Sequence, residues 1–360
     1  MKIQTEDRRK MYLEPTYPYA YARVCAMKSK LVRRDDYTKL LKMGVNEVMK
    51  FLQETEYKKE IDELSMAISG VNLVELALNK NLIKTMQKLK RISPDELRLL
   101  IEAYLKRMDS HNIKTILRGK LTKAGNEYVE TLLVPVGKIK KEELLNLMKK
   151  ESIEEMVKSL RIGIDTADLN DALRSFREKN SLFEIENLLD RHYYNDVLDF
   201  VEGIPEEGKL FADFLRYEID ILNIKTMLRL KNEKISGKDI QKHILYSGKF
   251  LDKAALNLLV HTEDLNEFIS RIKRMGYKKA FGDERKEKES REDIAETETM
   301  LYRYLLGKAI LLLHQNPLSV DIILGYMFAK EIEVRNLKVL LKGKQLGVEE
   351  DFMAKQLVIA

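Results

Sequence analysis

Residues 112–118 read NIKTILR, residues 223–229 read NIKTMLR and residues 336–342 read NLKVLLK. Working outward, a proline stands 18 or 19 residues before each asparagine: Pro94, Pro205 and Pro317. Nineteen residues before each proline stands a glutamate: Glu75, Glu186 and Glu298. The prolines are 111 and 112 residues apart. Three spacings that agree within one residue define a unit present three times, and a repeat must be recognised before any motif is read.

Each copy reads as a helical hairpin. Residues 75–89 carry Leu76, Leu82, Ile83, Met86 and Leu89 at helical spacing. Ser93-Pro94-Asp95-Glu96 then reads as a helix start, with Ser93 as cap, proline in the first turn and Glu96 returning to the cap amide. Leu97, Leu100, Ile101, Tyr104, Leu105, Met108 and Ile116 mark one face of the second helix. In an antiparallel hairpin the glutamate and the asparagine come level, since each lies about equally far from the turn. The spacing therefore predicts that Glu75, Glu186 and Glu298 meet the asparagine or lysine of their own hairpin: Asn112 and Lys114, Asn223 and Lys225, Asn336 and Lys338. A buried carboxylate requires such partners. The expected role is an internal polar staple rather than an ion site, because active sites are rarely triplicated at equivalent positions of one chain.

A shorter element alternates with the hairpins. It begins at Val45, Ile153 and Leu265, at offsets of 108 and 112 residues. The chain opens and closes in mid-unit, and residues 26–32 (AMKSKLV) echo the asparagine segment without a hairpin partner. The expected fold is all-α, with three pseudo-symmetric units closed into a funnel or ring. The expected division is 1–70 as a part-unit, 71–180 and 181–290 as full units, and 291–360 as the hairpin that the N-terminal part completes.

Composition supports helices and excludes several functions. Of 360 residues, 44% are hydrophobic, and glycine and proline number only 16 and 6. The net charge of +6 is dispersed, with 64 basic and 58 acidic residues, unlike the concentrated stripe of a nucleic-acid binder. The single cysteine, Cys25, reads as a packed thiol in a reducing compartment. Residues 1–10 lack the apolar stretch of a signal peptide, and the most apolar segment, 304–313, is interrupted by Lys308. Residues 283–293 are almost wholly charged and read as a solvated face or linker. Gly119-Lys120-Leu121 lacks the rest of a phosphate-binding loop. The five histidines are scattered, and no zinc, nucleophile-elbow or dinucleotide motif occurs. No catalytic residue, cofactor or metal is expected. From the residues alone the reading is a helical adaptor, with an open scaffold for proteins or RNA as the alternative.

The N-terminal segment Tyr17-Pro18-Tyr19-Ala20-Tyr21-Ala22-Arg23-Val24, with Met27, Ser29 and Leu31, resembles the opening of the C-subunit family of archaeal A-type ATP synthases, which is related to the d subunit of vacuolar ATPases. The three asparagine segments, the tripling and the length resemble that family too. The resemblance implies a funnel with pseudo-threefold symmetry and an archaeal source. It implies a non-catalytic place in the rotor, between the proteolipid ring and the shaft of subunits D and F, on the cytoplasmic face of the membrane. Contacts are expected mainly at loops and helix ends rather than at the repeated asparagine and lysine positions.

Overall fold

The computed structural model describes residues 17–359 apart from 161, 203–206, 282–293, 316–317 and 319. Pro205, Pro317 and the charged run at 283–293 lie outside the described residues. All regular elements among the described residues are helices. The N-terminal part holds α1 (Pro18–Lys28), α2 (Arg34–Lys42), α3 (Val45–Gln53) and α4 (Lys58–Leu64). The first hairpin is α5 (Gly70–Ile92) with α6 (Asp95–Leu105) and α7 (Arg107–Leu121). Then come α8 (Asn126–Leu132), α9 (Lys141–Met148), α10 (Ile153–Ser159) and α11 (Thr166–Lys179). The second hairpin is α12 (Phe183–Glu202) with α13 (Glu207–Asn232), followed by α14 (Gly237–Gln241), α15 (Lys253–His261) and α16 (Leu265–Ile272). The third hairpin is α17 (Ile294–Gln315) with α18 (Val320–Gln345), and α19 (Glu350–Gln356) ends the chain.

The three short elements read from the sequence are α3, α10 and α16. Ser152 and Asp264 cap two of them, accepting from the amides of Glu155 and Glu267. The turn of the first hairpin differs from expectation. Ser93 ends α5 and its hydroxyl donates to the Leu89 carbonyl at 2.7 Å. Pro94 is extended and stands at the N-cap of α6, with no side-chain cap. The hydroxyl thus answers an orphan carbonyl of the helix behind it instead of an orphan amide of the helix ahead.

The first copy is also interrupted at Lys106, where the second and third copies run unbroken through α13 and α18. The long helices pack in a repeated order: α12 against α7, α17 against α13, and α5 against α18. The N-terminal helices α1 and α3 also pack on α18, and α2 packs on α19. One large apolar core joins these elements, and Cys25 packs half-buried against it. A smaller core around Ile113, Leu117, Leu144, Met156, Leu173 and Leu189 holds α8–α12 to α7.

Candidate functional site

The three asparagines are almost wholly buried, and each does the same thing. Asn112 donates to the Val134 carbonyl at 2.9 Å and accepts from the Val134 amide at 2.8 Å. Asn223 makes the same pair with Leu245 at 2.7 and 2.9 Å, and Asn336 with Val358 at 2.7 and 2.9 Å. Each amide side chain therefore replaces a strand partner for one extended residue 22 positions downstream. A carboxamide suits this because it presents one donor and one acceptor side by side.

Three residues before each asparagine an acid performs a second repeated task. Asp109 accepts from the amides of Lys138 and Ile139, and Asp220 from those of Lys249 and Phe250. Both carboxylates crowd the chain so closely that glycine is required opposite them. A Cβ on Gly137 would overlap Asp109 Oδ1, and one on Gly248 would overlap Asp220 Oδ1. In the third copy Glu333 accepts from the Val32 amide at 2.5 Å, so the N-terminal segment occupies the place that downstream loops fill in the other two. Lysines eight residues after each asparagine follow the same rule. Lys120 binds the Met148 and Lys150 carbonyls at the C-terminal end of α9, and Lys231 binds the Val260 and Thr262 carbonyls at the C-terminal end of α15. Lys344 binds the Leu41 carbonyl near the end of α2.

The glutamates correct the expectation of a staple inside each hairpin. Glu186 takes a bidentate pair from Arg118 at 2.6 and 2.7 Å, and Glu298 takes one from Arg229 at 2.5 and 2.7 Å. Glu75 pairs with Lys342 at 3.1 Å. Each of these partners comes from a different hairpin: first to second, second to third, third to first. The repeated lysines do likewise, meeting the residue four after the glutamate. Lys114 binds Asp190 at 2.6 Å, Lys225 binds the Tyr302 hydroxyl at 3.0 Å, and Lys338 binds Asn79 at 2.6 Å. Helix α7, α13 or α18 lies against the glutamate helix of the next copy, so the level partner is the neighbour's. Arg118 and Arg229 are largely exposed, so each bidentate pair contributes at most about 1 kcal/mol and serves register more than stability.

Five residues before each asparagine the copies differ. The positions hold Arg107, Glu218 and Glu331, and the three side chains converge. Arg107 lies over the Tyr104 ring at 4.4 Å, donates to Glu218 at 2.8 Å and pairs with Glu331. One guanidinium thus faces two carboxylates, and Glu218 Oε2 and Glu331 Oε1 are buried without a hydrogen-bond partner among the described residues. Burial pushes Glu331 up to about 7, against the pull of Arg107 and with a further push from Glu218. Burial likewise raises Glu218. Beneath this cluster Tyr104, Phe211, Phe214 and Phe328 are buried and packed edge to face in pairs.

Above it lies a cavity of about 630 Å³ walled by all three hairpins. Its wall carries Lys114, Lys225 and Lys338, together with Arg335, whose Nη1 is buried without a hydrogen-bond partner among the described residues. Burial lowers Lys338 to about 8, with Glu75 opposing the shift, so it remains mostly charged at neutral pH. Among the described residues no group of three or more His, Cys, Asp or Glu is placed to hold a metal ion. No helix among them is long and apolar enough to cross a membrane.

The structure therefore places the repeated lysines and glutamates in seams between hairpins, and the repeated asparagines on backbone downstream in their own copy. Sequence reasoning missed the positions three and five before the asparagine, and eight after it. Extending the alignment outward from the three asparagines would have exposed the acid and lysine columns. The Arg-Glu-Glu column breaks the repeat and leaves no such signal.

A family model described as "ATP synthase (C/AC39) subunit" matches residues 20–356. A protein of Methanococcoides burtonii, named as the C subunit of an A-type ATP synthase, is 37% identical over 345 residues, covering 95% of this chain and 94% of that protein. A protein of the same name from Methanosarcina mazei is 36% identical, covering 95% and 93%. One from Haloferax volcanii is 33% identical, covering 95% and 97%.

Proposed function

Because this chain belongs to the ATP synthase (C/AC39) subunit family, we propose that it is a non-catalytic rotor subunit of an A-type ATP synthase. It couples a central shaft of subunits D and F to the membrane proteolipid ring, as a peripheral protein on the cytoplasmic face. The observation that carries this reading is the set of three equivalent inter-hairpin seams, which run first to second, second to third and third to first.

Such a cycle supports three pseudo-symmetric units closed into a funnel. Residues 1–70 complete the unit begun by 291–360, and 71–180 and 181–290 form the other two. The capping of Val32 by Glu333 and of the Leu41 carbonyl by Lys344 favours that closure across the termini. A closed frame of packed helices resists deformation and so transmits torque without performing chemistry. One mouth receives the shaft, and the opposite end rests on the ring.

Reconstitution tests the proposal. A complex assembled without this chain is expected to hydrolyse ATP at the catalytic head but to drive no ions through the ring, and adding the chain back restores coupling. Coupled transport in its absence, or ATP hydrolysis by the isolated chain, overturns the reading.

A further inference from the structure

The cavity between the hairpins is graded in both exposure and charge. At the level of Arg107, Glu218 and Glu331 the side chains are mostly buried, whereas Arg118 and Arg229, on the same long helices, are largely exposed. The open mouth therefore lies at the Arg118 and Arg229 level. Eleven helical residues separate the two levels, about 16 Å of wall. At the Arg107 level the guanidinium lies over the Tyr104 and Phe328 rings, which pack edge to face with Phe211 and Phe214.

The lining holds six cationic side chains and three carboxylates. Two of those carboxylates are engaged by Arg107 at the floor, and the third, Asp190, by Lys114. Higher on the wall, Lys338 donates to the neutral Asn79 and Arg335 lies over the Tyr302 ring with its buried Nη1 still lacking a partner among the described residues. A desolvated guanidinium nitrogen without an acceptor is costly, and an acceptor brought in from outside would relieve that cost. The wall is thus built for an acceptor-rich, negatively charged occupant and not for an apolar plug.

We propose that the segment entering this cavity is acidic: the docking end of the shaft presents carboxylates to Lys338 and Arg335. This rests on the shaft reading given above and deepens it. It also moves the docking contacts from loops and helix ends, where the sequence pattern put them, to one of the repeated lysines and its neighbour Arg335. Opposite charges across such an interface steer association and make it sensitive to ionic strength.

The test is a calorimetric titration of the full chain with the D–F complex of the same source. Wild type is compared with the Lys338→Gln/Arg335→Gln double variant, from about 0.05 M to about 0.5 M salt, a range over which screening becomes strong. Both substitutions keep a polar side chain, and a thermal melt confirms that the variant folds. Wild-type affinity is expected to fall about tenfold or more across the range. The variant is expected to bind about tenfold more weakly at low salt and to show a shallower salt dependence. Wild-type binding indifferent to salt, or a folded variant that binds like wild type, overturns the acidic occupant while leaving the shaft reading intact. No binding by wild type at any salt overturns both.

Discussion

Arg107→Met is expected to destabilise the chain by about 3–5 kcal/mol, the cost of leaving buried charge without its partner. Among the described residues Arg107 is the one cation placed against both Glu218 and Glu331. Methionine fills much of the same space, so the loss is electrostatic rather than steric. The effect has a sign in pH. Glu331 holds its proton to about 7 in the folded chain, above the ordinary glutamate value of 4.5. Between those values the folded state binds more protons than the unfolded state, so this group's contribution is fully present below about 4.5 and is lost as pH rises through about 7.

Glu331→Gln removes that titration and leaves Arg107 paired with Glu218 alone. The variant is expected to match wild type near pH 5 and to exceed it at pH 8, by on the order of 2 kcal/mol. Arg107→Met, by contrast, should be most damaging at pH 8, where both carboxylates are driven to ionise. Denaturant titrations of the three proteins at the two pH values decide the matter. A harmless Arg107→Met, or a Glu331→Gln variant equally weakened at both pH values, would show that the charge imbalance is not felt.

The second large effect is expected at the asparagine clamps. Asn223→Ala strips the partner from both the amide and the carbonyl of Leu245, inside a region closed to water. Each unsatisfied backbone group costs about 1–3 kcal/mol, so a total of about 2–6 kcal/mol is expected. Hydrogen exchange should report it locally, as lost protection of the Leu245 amide. Asn112→Ala should do the same at Val134 and Asn336→Ala at Val358. Arg118→Gln, which removes only a largely exposed pair, should cost no more than about 1 kcal/mol. Alanine tolerated at all three clamps, with Leu245 still protected, would mean that the backbone finds other partners and that the repeat is held by its apolar faces alone.

These two sites differ in how far the sequence revealed them. The asparagines could be read directly, since a polar residue on an apolar helical face at three matched positions has to be buried and satisfied. What they bind could not, because the clamped residues Val134, Leu245 and Val358 share no polar signature and meet the asparagines only through their backbones. The Arg107, Glu218 and Glu331 cluster could not be found from any one hairpin. Each side chain is an ordinary charged residue until three helices carry it to one point.

The helical character, the threefold repeat and the equivalence of Glu75, Glu186 and Glu298 were determined by the sequence by itself, because helical periodicity and spacing are local properties of a chain. The tertiary structure alone decided which hairpin answers each glutamate. Within a repeat, the residue level with Glu186 in its own hairpin has a twin in the preceding hairpin, and the sequence around the two reads nearly the same: NIKTMLR and NIKTILR. Local pattern cannot separate twins. Packing does, because α12 lies against α7 and brings Arg118 to Glu186, as α13 brings Arg229 to Glu298 and α18 brings Lys342 to Glu75.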